Sequence, residues 1–356
     1  MSELLNIIKA RIAQEGPLTV AEYMEMALGH PEYGYYMHRD PLGQEGDFTT
    51  SPEISQIFGE LLGAWTAAYW QMSGGGDLAL IELGPGRGTL MRDLLRATAH
   101  VPGFHDSLLV LLVETSPQLK RMQRALLLGK HSRVAWLPDI EQLPDVRTVF
   151  IANEFFDALP VRQYVKTPDG LKERLVTVDE ASGELCFTLQ ELGIKLVKGG
   201  SHYGDREIVE SSPYARTVAT QMSQQIRAHR GAGLVIDYGY VGGSRGNSLQ
   251  AVKKHGFFPV LKEPGSADLT THVDFDMLAQ VFADAKLDVQ GPVSQGEFLL
   301  RLGAKMRAET LIERARSDQR EDIISGLHRL TAPHEMGELF KVLGICDDHN
   351  LTLAGF

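Results

Sequence analysis

Six residues, Leu78-Ala79-Leu80-Ile81-Glu82-Leu83, form an apolar run interrupted by a single acid. A loop with glycine at alternate positions, Gly84-Pro85-Gly86-Arg87-Gly88-Thr89, follows at once. An apolar run this short, without polar alternation, is what a strand buried on both faces requires, and such strands occur in parallel sheets covered by helices. The glycines allow a tight turn and close backbone approach, and Thr89–Ala99 then carries helical spacing. A strand, a tight loop and a helix in this order open an α/β sheet whose ligands gather at the carboxyl edge of the strands. Leu108–Val113, Val134–Leu137, Thr148–Ala152 and Leu234–Asp237 are further strands. Helices are expected from about Pro117, over Pro213–Arg230 (N-cap Ser212, terminal Gly231) and from Asp274. Leu287–Gln290 and Phe298–Leu302 read as a closing antiparallel pair. This alternation predicts an α/β, doubly wound, mostly parallel sheet.

Additions surround that core. Residues 1–75 form a helical N-terminal cap with a lid loop. Leu4, Leu5, Ile8 and Ile12 recur at helical spacing, Thr19-Val20-Ala21-Glu22 is a capping box, and Ser51-Pro52-Glu53 opens a long helix with Ser51 at its N-cap. Gly59 and Gly63 leave room for a neighbour on that helix. The core is expected over 76–160 and 212–303. Between its halves, 161–211 alternates around Pro168-Asp169-Gly170 and Ser182-Gly183, which is hairpin chemistry and marks an antiparallel insertion. Residues 304–356 form a helical C-terminal appendage. The whole is 356 residues with 46 acids against 35 Lys and Arg, a formal charge of −11. That balance disfavours a nucleic-acid surface, no apolar stretch is long enough to span a membrane, and two cysteines are too few for a disulfide scaffold.

Three glycines at Gly84, Gly86 and Gly88 fit the dinucleotide fingerprint poorly, because the third comes one residue early. Glu82, just before them, would repel a pyrophosphate and suits a cationic ligand instead. S-adenosylmethionine is such a ligand, with a sulfonium and an amino group. Glu114, at the end of the second strand, is placed to accept both ribose hydroxyls. Asp139, after the third strand, is a candidate for the adenine amino group or an ordinary loop aspartate. Arg87 meets either the cofactor carboxylate or a neighbouring acid.

Methyl transfer from a sulfonium is a displacement in which the protein supplies positioning and electrostatics. The acceptor side is expected after the fourth strand, at Asn153-Glu154-Phe155-Phe156-Asp157-Ala158-Leu159-Pro160. It lacks the Asn/Asp-Pro-Pro-aromatic tetrapeptide of many amino-group methyltransferases. Glu154 and Asp157 instead offer two acids that can grip a guanidinium and offset its repulsion by a cationic cofactor. The same residues also make a plain helix start, with Asn153 as cap. Asp47 and Glu53, within the polar stretch Gly43–Glu53 with its glycine hinges, belong to a closing lid. Asp237-Tyr238-Gly239 and the long connection to Val273 are a further candidate cover. No histidine spacing indicates a metal.

The stretches Gly46–Glu60, Glu82–Leu90, Asn153–Pro160, Asp237–Gly239 and Pro264–His272 resemble the MidA-like methyltransferases, from about residue 15 onward. Asn153 followed by Glu154 is within that family's pattern. The resemblance implies a class I methyltransferase fold, S-adenosyl-L-methionine as donor and a protein arginine as acceptor. In mitochondrial members, complex I assembly factors, the acceptor is a subunit of the NADH dehydrogenase quinone arm and the product symmetric dimethylarginine. Residues 1–9 are not the acid-poor, Arg- and Ser-rich segment of a transit peptide, so a cytoplasmic protein is expected. A small-molecule or nucleic-acid N-methyltransferase and a non-catalytic assembly chaperone that binds the cofactor remain open alternatives.

Overall fold

The computed structural model describes residues 3–38, 49–168, 170–192, 208–243 and 246–356. The chain divides into two units. One holds Thr49–Phe156, Val218–Gly239 and Met277–Phe356; the other holds Met1–Phe48, Asp157–Thr217 and Tyr240–Asp276.

In the first unit the apolar runs become strands: β1 (Leu78–Leu83), β2 (Leu108–Val113), β3 (Val134–Leu137), β4 (Arg147–Asn153), β5 (Gly231–Tyr240), β6 (Asp288–Ser294) and β7 (Phe340–Cys346). Their order across the sheet is β6-β7-β5-β4-β1-β2-β3. β1 pairs in parallel with both β2 and β4, β5 is parallel to β4, and β7 is antiparallel to both its neighbours. Every residue of β1 is buried, which explains why its sequence does not alternate. The order reverses between β1 and β4, so the loops that leave these two strands flank a topological switch point.

Two sequence expectations change here. Phe298–Leu302 is not a strand: Ser294 caps a helix over Gln295–Arg301 by accepting from the Glu297 N–H. The partner of β6 is β7, contributed by the C-terminal segment read as helical. The second change concerns Gly231. The helix Pro213–His229 ends on Arg230, which takes a left-handed φ of 63°. Gly231 instead lets β5 approach β4, since a Cβ there would lie 2.1 Å from the Thr148 carbonyl oxygen.

The helix expected from Ser51 is also divided. Ser51–Ile54 makes one short turn with Thr50 at the N-cap position but no side-chain capping bond, and α1 (Gln56–Met72) starts afresh with Ser55 as its N-cap. α1 packs on α2 (Thr89–Thr98) at its glycines. A Cβ on Gly59 would meet Asp93 Cβ at 2.9 Å, and one on Gly63 would meet the Leu94 carbonyl at 2.9 Å. Ile57, Phe58, Leu61, Leu62 and Trp65 join the core over the sheet. α3 (Pro117–Leu127), capped by Ser116, buries Leu119, Gln123 and Leu127.

The second unit is antiparallel. Arg162–Thr167, Gly170–Val178, Leu185–Glu191 and Ile208–Ser211 pair with one another, and Leu18–Thr19 joins the edge. Arg162 and Glu173 form a bidentate pair at 2.6 Å across two of these strands. The Thr19–Glu22 capping box is present in both directions and starts the helix Val20–Gly29. A small sheet of Gln250–Lys253, Gly256–Phe258 and Asp268–Thr270 completes the unit. Among the described residues no helix is long and apolar enough to cross a membrane.

Candidate functional site

The carboxyl ends of β1, β2, β4 and β5 carry the polar groups that the sequence singles out. After β1, Gly84, Gly86 and Gly88 take φ of 62°, 53° and 87°, a region that side chains with a Cβ rarely enter. The Gly84 N–H donates to the Val113 carbonyl at 3.1 Å and the Gly88 N–H to Pro85 at 2.8 Å, which closes the turn. A Cβ on Gly84 would also strike Phe155 Cδ2 at 3.0 Å.

Glu82, next to last in β1, is 3% exposed. Its Oε2 has no hydrogen-bond partner among the described residues, and burial alone pushes its carboxyl up to about 8. An isolated buried carboxylate is costly unless something supplies charge or donors. Beside a loop of left-handed glycines, that something fits a ligand with an amino group and a positive charge, which S-adenosylmethionine has.

Glu114, after β2, is buried and already oriented. Oε1 accepts from the Ser116 N–H at 2.8 Å and Oε2 from Gln123 Nε2 at 3.1 Å. Burial raises its carboxyl above the ordinary range despite hydrogen bonds from Ser116, Gln123 and Thr115. Asp139, by contrast, is exposed and accepts from the Glu141 N–H at 2.9 Å, a local turn bond.

Glu53 accepts a hydrogen bond from the Thr89 hydroxyl at the start of α2. Arg87 lies 3.7 Å from its other oxygen. Of the two partners considered for Arg87, the neighbouring acid is therefore met. Asp47, the other lid acid, lies outside the described residues.

Asn153, the last residue of β4, is buried and Glu154, which follows it, half-buried. Glu154 takes a φ of 49°, uncommon for a residue with a side chain. Its N–H donates to the Ile236 carbonyl at 2.9 Å. Its Oε1 accepts from the Ser51 N–H at 2.8 Å and from Asn153 Nδ2 at 3.2 Å. Asn153 is thus a strand residue that holds Glu154, rather than a helix cap. Asp237 on β5 is fully buried and holds the next turn by accepting from the Phe156 and Tyr238 N–H groups at 3.0 and 2.9 Å. Asp157 falls in the other unit, where it is buried and its carbonyl accepts from the Thr271 N–H at 2.9 Å.

Gln123 is the residue that the sequence argument missed. The available signal is a lone polar residue between Leu119 and Leu127 on the apolar face of α3. No metal was expected. Among the described residues His328, His334 and Glu335 offer ligand atoms within 4.8 Å of one another. All three are exposed, and neither imidazole has the hydrogen-bonded partner that orients a metal ligand.

Residues 61–293 match a family described as S-adenosyl-L-methionine-dependent methyltransferases. Protein arginine methyltransferase NDUFAF7, mitochondrial, of Xenopus tropicalis is 37% identical over 99% of this chain and 89% of its own. The Homo sapiens protein of that name is 36% identical over 99% and 85%. A Burkholderia thailandensis protein solved with S-adenosyl-homocysteine bound has a TM-score of 0.83 and 26% identity, over 99% of this chain and 93% of that one. The expected cytoplasmic location is corrected by these names, since the curated relatives are called mitochondrial, down to a Drosophila melanogaster homologue at 35% identity. Because the match runs through the glycine loop and the strands on either side of it, the chain belongs to the S-adenosyl-L-methionine-dependent methyltransferase family.

Proposed function

We propose that this enzyme methylates an arginine side chain of a protein. The observation that carries the proposal is Glu154: a carboxylate held in a left-handed backbone position after β4, its Oε1 fixed by Ser51 and Asn153. A group kept in so uncommon a conformation has its orientation determined by the surrounding fold. The relatives named protein arginine methyltransferase support the same acceptor.

The cofactor, when bound, supplies an electrophilic methyl group on a sulfonium. Gly84, Gly86 and Gly88 would let the backbone approach it, Glu82 would face its cationic part and Glu114 its ribose. Glu53 would hold the start of α2 through Thr89, and Asp47 is proposed as a further cofactor residue. Glu154 would draw one guanidinium N–H toward the donor and offset the repulsion between two cations, which is large where water is excluded. The nitrogen that gains a methyl sheds a proton, and a carboxylate at this place can take it and pass it to water. Asp157 is the second acid proposed for the acceptor. The family resemblance adds a subunit of the NADH dehydrogenase quinone arm as acceptor, with symmetric dimethylarginine as product.

The test is mass spectrometry of arginine methylation in wild-type and deletion cells, followed by transfer of labelled methyl to the site lost. One arginine site that disappears on deletion and is restored in vitro by the purified protein is the expected result. Unchanged arginine methylation, with labelled methyl appearing on a metabolite or a nucleic acid, would overturn it.

A further inference from the structure

Beneath the glycine loop, one fully buried side chain touches two of the loop glycines and the acid proposed for the ribose. Gln123 on α3 donates from Nε2 to the Gly86 carbonyl at 2.7 Å and to Glu114 Oε2 at 3.1 Å. Its Oε1 accepts from the Trp136 indole N–H, on β3, at 2.8 Å. Its Cγ lies 3.4 Å from where a Cβ on Gly88 would be, so the loop rests on the side chain itself. The indole can only donate, and this fixes which end of the amide is oxygen. Both amide protons are therefore committed, one to the loop and one to the acid.

We infer that Gln123 is a positioning residue for the cofactor, which sets the spacing between the glycine loop and Glu114 and thereby the enzyme's affinity for S-adenosyl-L-methionine. This rests on Gly86, Gly88 and Glu114 holding the cofactor. The physical reason is that the loop and the acid leave different strands. β1 and β2 place their ends side by side, but glycines with φ of 53° and 87° have many other conformations open to them. A single planar amide bonded to both removes that freedom before the ligand arrives, which lowers the cost of binding. No charge could replace it: a carboxylate at this position would have no proton for the Gly86 carbonyl and would repel Glu114.

Gln123→Glu keeps the shape and removes the donor; Gln123→Met keeps the volume and removes both polar ends. S-adenosyl-homocysteine binding is measured by calorimetry on the full chain, with melting temperatures alongside. Steady-state rates with the unmethylated acceptor protein, taken from deletion cells, give KM for each substrate separately. The expected result is at least about tenfold weaker binding of S-adenosyl-homocysteine in both variants, and a KM for S-adenosyl-L-methionine raised by a similar factor. kcat at saturating cofactor and the KM for the acceptor should stay within about threefold of wild type. A merely structural role would lower kcat through a smaller active fraction and leave the cofactor KM alone; that pattern, or unchanged binding in a folded variant, overturns the inference. Should Gln123→Glu not fold, Gln123→Met decides. If wild type itself fails to bind S-adenosyl-homocysteine, the cofactor site fails with it, whereas wild-type binding with unaltered variants refutes the role of Gln123 alone.

Discussion

The main-chain N–H of Ser51 donates to Glu154 Oε1 at 2.8 Å, joining a turn before α1 to the residue that follows β4. Ser51 is fully buried and its hydroxyl lies 3.4 Å from Gln295 Oε1, whose amide nitrogen in turn donates to the Leu330 carbonyl at 3.0 Å. The carboxylate of Glu154 is thus oriented from outside its own segment. The segment of Ser51 also carries Glu53, which receives the Thr89 hydroxyl. One short turn therefore contacts both the start of α2 and the acid proposed for the acceptor.

Glu154→Gln retains an oxygen for the Ser51 N–H, so the fold should persist while the charge is lost. The expected outcome is a melting temperature and an S-adenosyl-homocysteine affinity close to wild type. The methyl-transfer rate should fall by about a hundredfold or more, the scale for removing a preorganised electrostatic group. Single-turnover transfer to the acceptor protein measures it, and a rate near that of wild type would remove Glu154 from the chemistry.

Gly86→Val sets a β-branched side chain at a φ of 53°, where such residues are strained by about 1–3 kcal/mol. The loop can relieve that strain only by leaving the turn that approaches the ligand. Calorimetric titration with S-adenosyl-homocysteine should give no measurable heat of binding; a dissociation constant equal to that of wild type would refute the placement of the loop.

Much of this site is legible from sequence because its determinants are local. β1 and its glycines are contiguous, and Glu114 ends an apolar run, so strand, loop and acid can be placed without knowing what lies beside them. The acceptor side is different. Glu154 reads equally well as a helix-start acid, and only the Ser51 N–H, 103 residues away in the chain, distinguishes the two. Ser51 itself carries every local mark of an N-cap, yet Thr50 and Ser55 take those positions, because Ser51 is buried against Glu154 and Gln295. Gln123 has a visible signal, a polar residue in an apolar stripe, but its partners on β1, β2 and β3 come together only when the sheet forms. β7 was missed for a similar reason: its strand character depends on pairing with β5 and β6, which flank it on the two sides.

Gly63→Val tests the support beneath the loop. A Cβ at this position lies 2.9 Å from the Leu94 carbonyl oxygen and 3.1 Å from Leu94 Cα, both main-chain atoms of α2. Nothing flexible can yield, so α1 and α2 must separate, at a cost of roughly 1–3 kcal/mol. Because α2 begins at Thr89, the displacement reaches the glycine loop as well. A lower melting temperature together with weaker S-adenosyl-homocysteine binding is expected, and a smaller effect for Gly63→Ala. A stability loss with unchanged affinity would show that the helix contact and the loop are independent.

Glu82 makes the protein's stability depend on pH in a direction opposite to that of most carboxylates. Burial raises its carboxyl from 4.5 to about 8. Between those values the folded chain keeps a proton that the unfolded chain has released, so raising the pH favours unfolding there. The group costs the fold little below about pH 4.5, progressively more up to about pH 8, and a constant amount above that. The melting temperature of Glu82→Gln, less that of the wild type, should therefore grow across this window in the absence of cofactor. A bound cation favours the carboxylate and should shrink the difference. Binding near neutral pH would then release a proton, seen as a calorimetric enthalpy that varies with the ionisation heat of the buffer in wild type and not in Glu82→Gln. A difference in melting temperature that stays flat with pH would show that Glu82 is not the titrating group.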